Sequence, residues 1–249
     1  MIRAMQSIHR QLHVRSARAA RCCALLFGFG YVLVAVGCAS GPALEPVYPI
    51  PQVGAGAATA ANSAVSTVAG VRLVASVGTW KGKPSRLEVA LPLEVEITNG
   101  GERPVSIRYD AFALVSDTGQ RLVALPPFDI ESSNIQAIRV SNPAATGFQV
   151  APHHRASLPS YEPFSGTFPE DTAYFAAHHP KLRAAGLPTR EMIEAALPEG
   201  VLLPGGRISG FLYLVPLPPE AKGAVFELEL SQSPKGRSFG RINIPFRAR

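Results

Sequence analysis

The chain has 249 residues, 47% hydrophobic and 17% charged, a globular composition that excludes wholesale disorder. Its formal charge is +6, but Arg3, Arg10, Arg15, Arg18 and Arg21 supply five of the 24 basic residues before position 38, where no acidic residue occurs. From residue 38 onward 19 basic groups face 18 acidic ones; with no basic stripe to follow a phosphate backbone, nucleic acid is excluded as a partner.

Residues 1–23 form a basic leader, and the apolar run Ala24 to Val36 follows it. That run fits the roughly 7–15 residues of a secretory signal and falls short of the roughly 18–20 that span a bilayer. The stretch Ala35-Val36-Gly37-Cys38 resembles the lipobox of bacterial lipoproteins, in which a small residue precedes a cysteine. The resemblance implies a signal peptide over 1–37, with Ala35, Val36 and Gly37 read by the signal peptidase. It further implies fatty acylation of Cys38, palmitate among the acyl groups, and membrane attachment through that lipid. Ala39, where inner-membrane lipoproteins commonly carry aspartate, implies an outer-membrane anchor facing the periplasm or the surface. A plain secretory signal cut near Ala39 and an uncleaved anchor are the alternatives. Cys22 and Cys23 leave with the leader, so Cys38 is the one cysteine of the mature chain and no intramolecular disulfide can form.

Residues 38–68 read as a flexible tether. Pro42, Pro46, Pro49 and Pro51 stiffen its first half, and small residues such as Gly54-Ala55-Gly56-Ala57-Ala58 loosen the second. A folded domain is then expected over 69–249. Leu93, Val95 and Ile97 alternate with Glu94, Glu96 and Thr98, the pattern of a strand with one face on a core and one in water. Asn99-Gly100-Gly101 predicts a turn, and Val105, Ile107 and Tyr109 a second strand paired to the first, with Glu and Arg108 rows facing each other on the solvent side. Asp117-Thr118-Gly119-Gln120 predicts another turn, between Phe112–Val115 and Leu122–Leu125. Strands are expected again over Arg207–Val215, around Phe226–Leu230 and over Ile242–Phe246, with Ser233–Gly236 as the last turn; Trp80 sits where a strand ends.

Some seven short strands without strand–helix alternation argue for a mainly β, antiparallel sandwich. The Leu93–Asp110 and Phe112–Leu125 hairpins and the Gly210–Phe246 strands together resemble the immunoglobulin-like sandwich found in uncharacterised bacterial lipoproteins. No activity accompanies that likeness, because sandwiches host many unrelated functions. About 100 residues suffice for such a fold, so a loop-plus-helix insertion is expected over about 141–206, with one helix from Asp171 to His179 and one capped by Thr189. Long connections of this kind are often functional, which makes the insertion the first choice for contact with another envelope protein.

The histidines of the mature chain form two pairs, His153-His154 and His178-His179, the residues that a metal-binding periplasmic protein would use, with Glu162, Glu170 or Asp171 as completing ligands. Adjacent residues on a helix point about 100° apart, so each pair is expected to offer only one ring to an ion, and the spacing matches no zinc motif. No serine sits in a Gly-x-Ser-x-Gly elbow and no glycine loop is placed to cradle phosphate. The sequence therefore points to a non-catalytic binding or assembly accessory of the envelope, with no catalytic residue and no cofactor. A metal-binding protein and an unrecognised envelope hydrolase are the alternatives.

Overall fold

Alternation of apolar and polar residues becomes two sheets in the computed structural model, which describes residues 42–48, 61–85, 88–130, 145–154, 161–232 and 236–249. These belong to one folded unit within residues 39–249. The leader, with Ala35, Val36, Gly37 and Cys38, lies outside the described residues, as does most of the expected Ser233–Gly236 turn.

The first sheet has the order β1(Leu44–Pro46), β12(Ser238–Ala248), β11(Gly223–Ser231), β6(Phe112–Ser116), β7(Arg121–Val123), with every pair antiparallel. The second has the order β2(Ser63–Val68), β3(Val71–Val77), β4(Leu91–Asn99), β10(Gly200–Leu214), β8(Thr146–Val150), β9(Glu162–Pro163), and β5(Val105–Ile107) also pairs with β10. Among the described strands only β8 and β9 run parallel. Leu73, Leu93, Val95, Ile97 and Leu212 of the second sheet share one buried core with Phe112, Leu114, Phe226, Leu228 and Ile242 of the first. The fold is thus mainly β, two sheets on a common core. The strict alternation of burial along β4 and β11 is what one-sided packing requires. Among the described residues no helix is long and apolar enough to cross a membrane.

Three expectations are corrected. First, the stretch 38–68 is not all tether. Leu44–Pro46 pairs with Phe246–Ala248, and Ser63–Val68 forms a full strand against β3. Its small and β-branched residues disguise it, and its turn is Ala69-Gly70, with φ of 50° and 79°, and not a familiar Asn-Gly.

Second, β4 and β5 do not pair with each other. Both run antiparallel to β10, at Leu91–Thr98 and Val105–Ile107, as one interrupted strand along the same partner. Asn99-Gly100-Gly101 is therefore an excursion, and its glycines permit close packing: a Cβ on Gly70 would lie 2.7 Å from the Gly101 Cα. Asn99, fully buried, holds the excursion by donating to the carbonyls of Arg103 (2.8 Å) and Leu202 (3.1 Å) and accepting from the Gly101 N–H (3.1 Å). Truncation of Asn99 to alanine leaves these groups unpaired, so a loss of about 1–3 kcal/mol is expected in urea denaturation; an unchanged midpoint would deny the clamp. The expected Glu–Arg108 pairing across a hairpin also dissolves, since Glu96 meets Arg72 and Arg207 while Arg108 binds Asp110 and Asp171.

Third, the described residues flanking the 141–206 segment's interior lie in the second sheet, as β8 and as the first half of β10. Pro204-Gly205-Gly206 falls within a register shift between Leu202 and Arg207 instead of ending the segment. Between them lie α1(Thr172–Arg183) and α2(Arg190–Ala195). Asp171 caps α1 by accepting the Tyr174 N–H at 3.0 Å, and Thr189 caps α2 as expected. Helix α1 runs through Pro180, because the fully buried Leu182 beyond it packs with Leu125, Met192 and Tyr213 and outweighs the lost backbone hydrogen bond.

Candidate functional site

Tyrosine hydroxyls bolt the helices to the sheets. Tyr109 donates to the Leu197 carbonyl (2.7 Å), Tyr213 to that of Met192 (2.8 Å), and Tyr174 of α1 to that of Ala124. Burial pushes all three phenols above their ordinary range. Two places of chemical interest result.

The first is buried. Pro152–His154 form a 3₁₀ turn after β8, and this tight turn brings both rings of the first histidine pair toward Glu199, just before β10. The expectation that neighbouring rings splay apart fails because both rings are drawn to Glu199, His153 to its carboxylate and His154 to its N–H: the two ring centroids are 4.5 Å apart. One ligand-type atom from each of His153, His154 and Glu199 lies within 4.8 Å of the others. The other pair does not join them. His179 is buried and donates from Nδ1 to the Pro126 carbonyl (3.1 Å), and His178 packs on Tyr174 at 4.4 Å. Of the suggested completing carboxylates, Glu162 and Glu170 are exposed and Asp171 is spent on the α1 cap and Arg108.

Glu199 was not singled out by the sequence; its one signal is a carboxylate amid Leu197-Pro198 and Val201-Leu202-Leu203. Only 5% exposed, its carboxyl is held at about 2: burial pushes it up, and the hydrogen bond and charge from His153 outweigh burial. Its Oε1 accepts the Tyr109 N–H at 2.8 Å. Oε2 lies 2.7 Å from His153 Nε2, which must donate because an ionised carboxylate only accepts. The Glu199 N–H in turn donates to His154 Nε2 at 3.2 Å, which places a lone pair there and makes His154 neutral. Burial, chiefly, lowers His154 to about 4, and Phe128 stands edge-on to its ring at 4.5 Å. The lone pairs a metal would take are thus engaged in hydrogen bonds, although His153 Nδ1 is buried without a partner among the described residues.

The second place is an open cleft of about 620 Å³ where the chain loops out after β3. Trp80 and Phe211 line it, with Glu94 of β4, Glu191 of α2, Asn62 and Lys81. Trp80, beyond the end of β3 as its setting in the sequence implies, meets Phe211 edge-to-face at 5.2 Å and Tyr213 at 5.8 Å. Its Nε1–H donates to the Pro84 carbonyl (3.0 Å), and the Thr189 hydroxyl fixes the same loop by donating to the Lys83 carbonyl (2.7 Å). Sequence patterning flagged the insertion but could not bring Glu191 to Glu94, which are 97 positions apart.

No protein-family model matches the chain, and no curated protein matches it. Among solved structures it is similar to ycdA of Bacillus subtilis subsp. subtilis strain 168, a protein classed provisionally as a lipoprotein. The two are 13% identical, the match covers 75% of this chain and 38% of that one, and the TM-score is 0.31. A superposition at that level transfers neither fold nor function.

Proposed function

We propose that the chain is a lipid-anchored protein of the outer membrane that works by binding, its immunoglobulin-like sandwich serving as scaffold and with no catalysis of its own. The supporting observation is the Trp80 cleft, whose walls come from both the sandwich and the insertion and are held in place before any ligand arrives. The address rests on Ala35–Cys38. Because Leu44–Pro46 is already in a sheet, only residues 39–43 separate the lipidated Cys38 from the fold. Such a segment spans at most about 20 Å, so the sandwich works close to its membrane.

A photo-reactive residue in place of Lys81 tests the binding role in intact cells. Intact-mass spectra are expected to show an adduct, small molecule or protein, that is absent when the probe replaces Arg241 on the other sheet. No adduct at either place contradicts the reading.

A second reading, metal binding, is favoured by the convergence of His153, His154 and Glu199. With the Glu199 N–H already on His154 Nε2, calorimetric titration with zinc is expected to give no saturable heat. Stoichiometric uptake that disappears in H153A and E199Q would instead establish a metal protein. A hydrolase would draw on Glu94 and Glu191; among the described residues the cleft lining contains no serine, cysteine or histidine to act with them.

A further inference from the structure

The outer face of β4 carries two carboxylates with different surroundings. Glu96 is flanked across the sheet by arginines, and it pairs with both Arg72 and Arg207. Glu94, two residues earlier on the same face, stands in register with Ser76 on one side and Phe211 on the other, so the sheet offers it no cation. Glu191 is likewise left over in its helix, where Arg190 pairs with Glu194. Among the described residues neither Glu94 nor Glu191 forms an ion pair, yet both line one cleft, with Lys81 as the only cation of its lining. Among the described lining residues, two carboxylates stand against one ammonium, a net negative charge.

A neutral ligand would strip water from these carboxylates and return nothing for it. An inorganic cation would satisfy the charge but make no use of the aromatic wall. A cation on a hydrocarbon stem uses both, because its charge meets the carboxylates while the stem and the charged head lie against Trp80 and Phe211.

We propose that the cleft binds an organic cation, a primary ammonium or guanidinium group on an aliphatic chain, held by Glu94 and Glu191 against Trp80 and Phe211. This gives the binding module of the preceding section its ligand class and rests on that reading. The cation can come as a free amine or as a lysine or arginine side chain of an envelope protein.

Trp80 is the only tryptophan of the chain, so its fluorescence reports on this cleft alone. The protein as purified from cells, in non-ionic detergent, is titrated with 1,5-diaminopentane, butylguanidinium and Nα-acetyl-lysinamide, and separately with glucose and calcium chloride. A saturable change is expected with the cations, weakened about tenfold or more in E94Q and in E191Q, the effect of losing one charge-assisted hydrogen bond. Tighter binding of the free amines assigns the site to small molecules, and tighter binding of the lysinamide assigns it to a partner's side chain. Circular dichroism of both variants checks that these partly exposed substitutions leave the fold intact. The proposal is overturned by no saturable change with any cation, by an equal response in the doubly substituted E94Q/E191Q protein, or by a response to calcium or glucose alone. The titration is made on purified protein, so an error about the membrane address would leave its result unchanged.

Discussion

Replacing Glu199 with alanine is expected to cost the fold about 3–5 kcal/mol, as removal of one partner from a buried charged network does. Glu199 joins three elements: its carboxylate holds the backbone at Tyr109 and the turn at His153, and its backbone N–H holds His154. Alanine preserves only the last bond and strands the Tyr109 N–H and His153 Nε2 in a site walled by Phe128, Phe168 and Phe175. Chemical denaturation of the E199A protein should therefore show a much lower midpoint with an unchanged slope. A midpoint like that of the wild type would mean the cluster does not hold the turn to β10. Addition of a chelator separates the two readings of this site: it leaves wild-type stability untouched if hydrogen bonds are the glue, and lowers it if a metal is.

The same cluster makes the protein sensitive to acid. His154 titrates at about 4 in the fold, below the ordinary 6.5 of an unfolded chain. Between those values the unfolded state takes up a proton that the folded state refuses, so stability declines as pH falls from about 6.5 to about 4, by up to about 3 kcal/mol. Glu199, held at about 2 against an ordinary 4.5, adds a second loss as pH falls below 4.5. At the alkaline end Tyr109, Tyr174 and Tyr213 are raised, so the stability of the tyrosine bolts is complete below about pH 10 and declines above it. Thermal melts across the range should give a plateau near neutrality with a fall beginning close to pH 6.5; H154F, which cannot take up a proton, should lose that first fall. A flat response between pH 7 and 4 would contradict the buried, neutral His154.

Much of the sandwich was written in period-two patterns, and those strands stand where the patterns put them: Leu93, Val95 and Ile97 face the core, and Phe112–Val115 and Leu122–Val123 pair around Asp117–Gln120. What failed was partner choice. Alternation tells which face of a strand is buried but not which strand lies beside it, and so the nearest turn signal, Asn99-Gly100-Gly101, passed for a hairpin. The strand Ser63–Val68 was hidden because its polarity does not follow its burial: Val65 faces outward with Thr67 while Ser63 is buried, so no alternation shows in the sequence.

The sites were legible only in fragments. The doubled histidines were visible, but the inference that adjacent rings diverge took no account of Glu199, which bonds to both rings from 45 positions further on. Glu199, Glu94 and Glu191 carried no local signal of a shared site, because each gains its meaning from residues far along the chain: Tyr109 for the first, and for the other two a shared cleft whose aromatic wall is Trp80 and Phe211.

The proposed address at the membrane rests on Cys38 and can be measured directly. Mature protein extracted from membranes is predicted to carry a diacylglycerol and an amide-linked acyl chain on an N-terminal Cys38, seen by mass spectrometry of the terminal peptide. Its processing should be sensitive to globomycin, and C38A should remain unprocessed at this site and carry no lipid. An unmodified Cys38 in membrane-derived protein, or C38A that is processed and partitions into detergent as the wild type does, would contradict the lipid anchor.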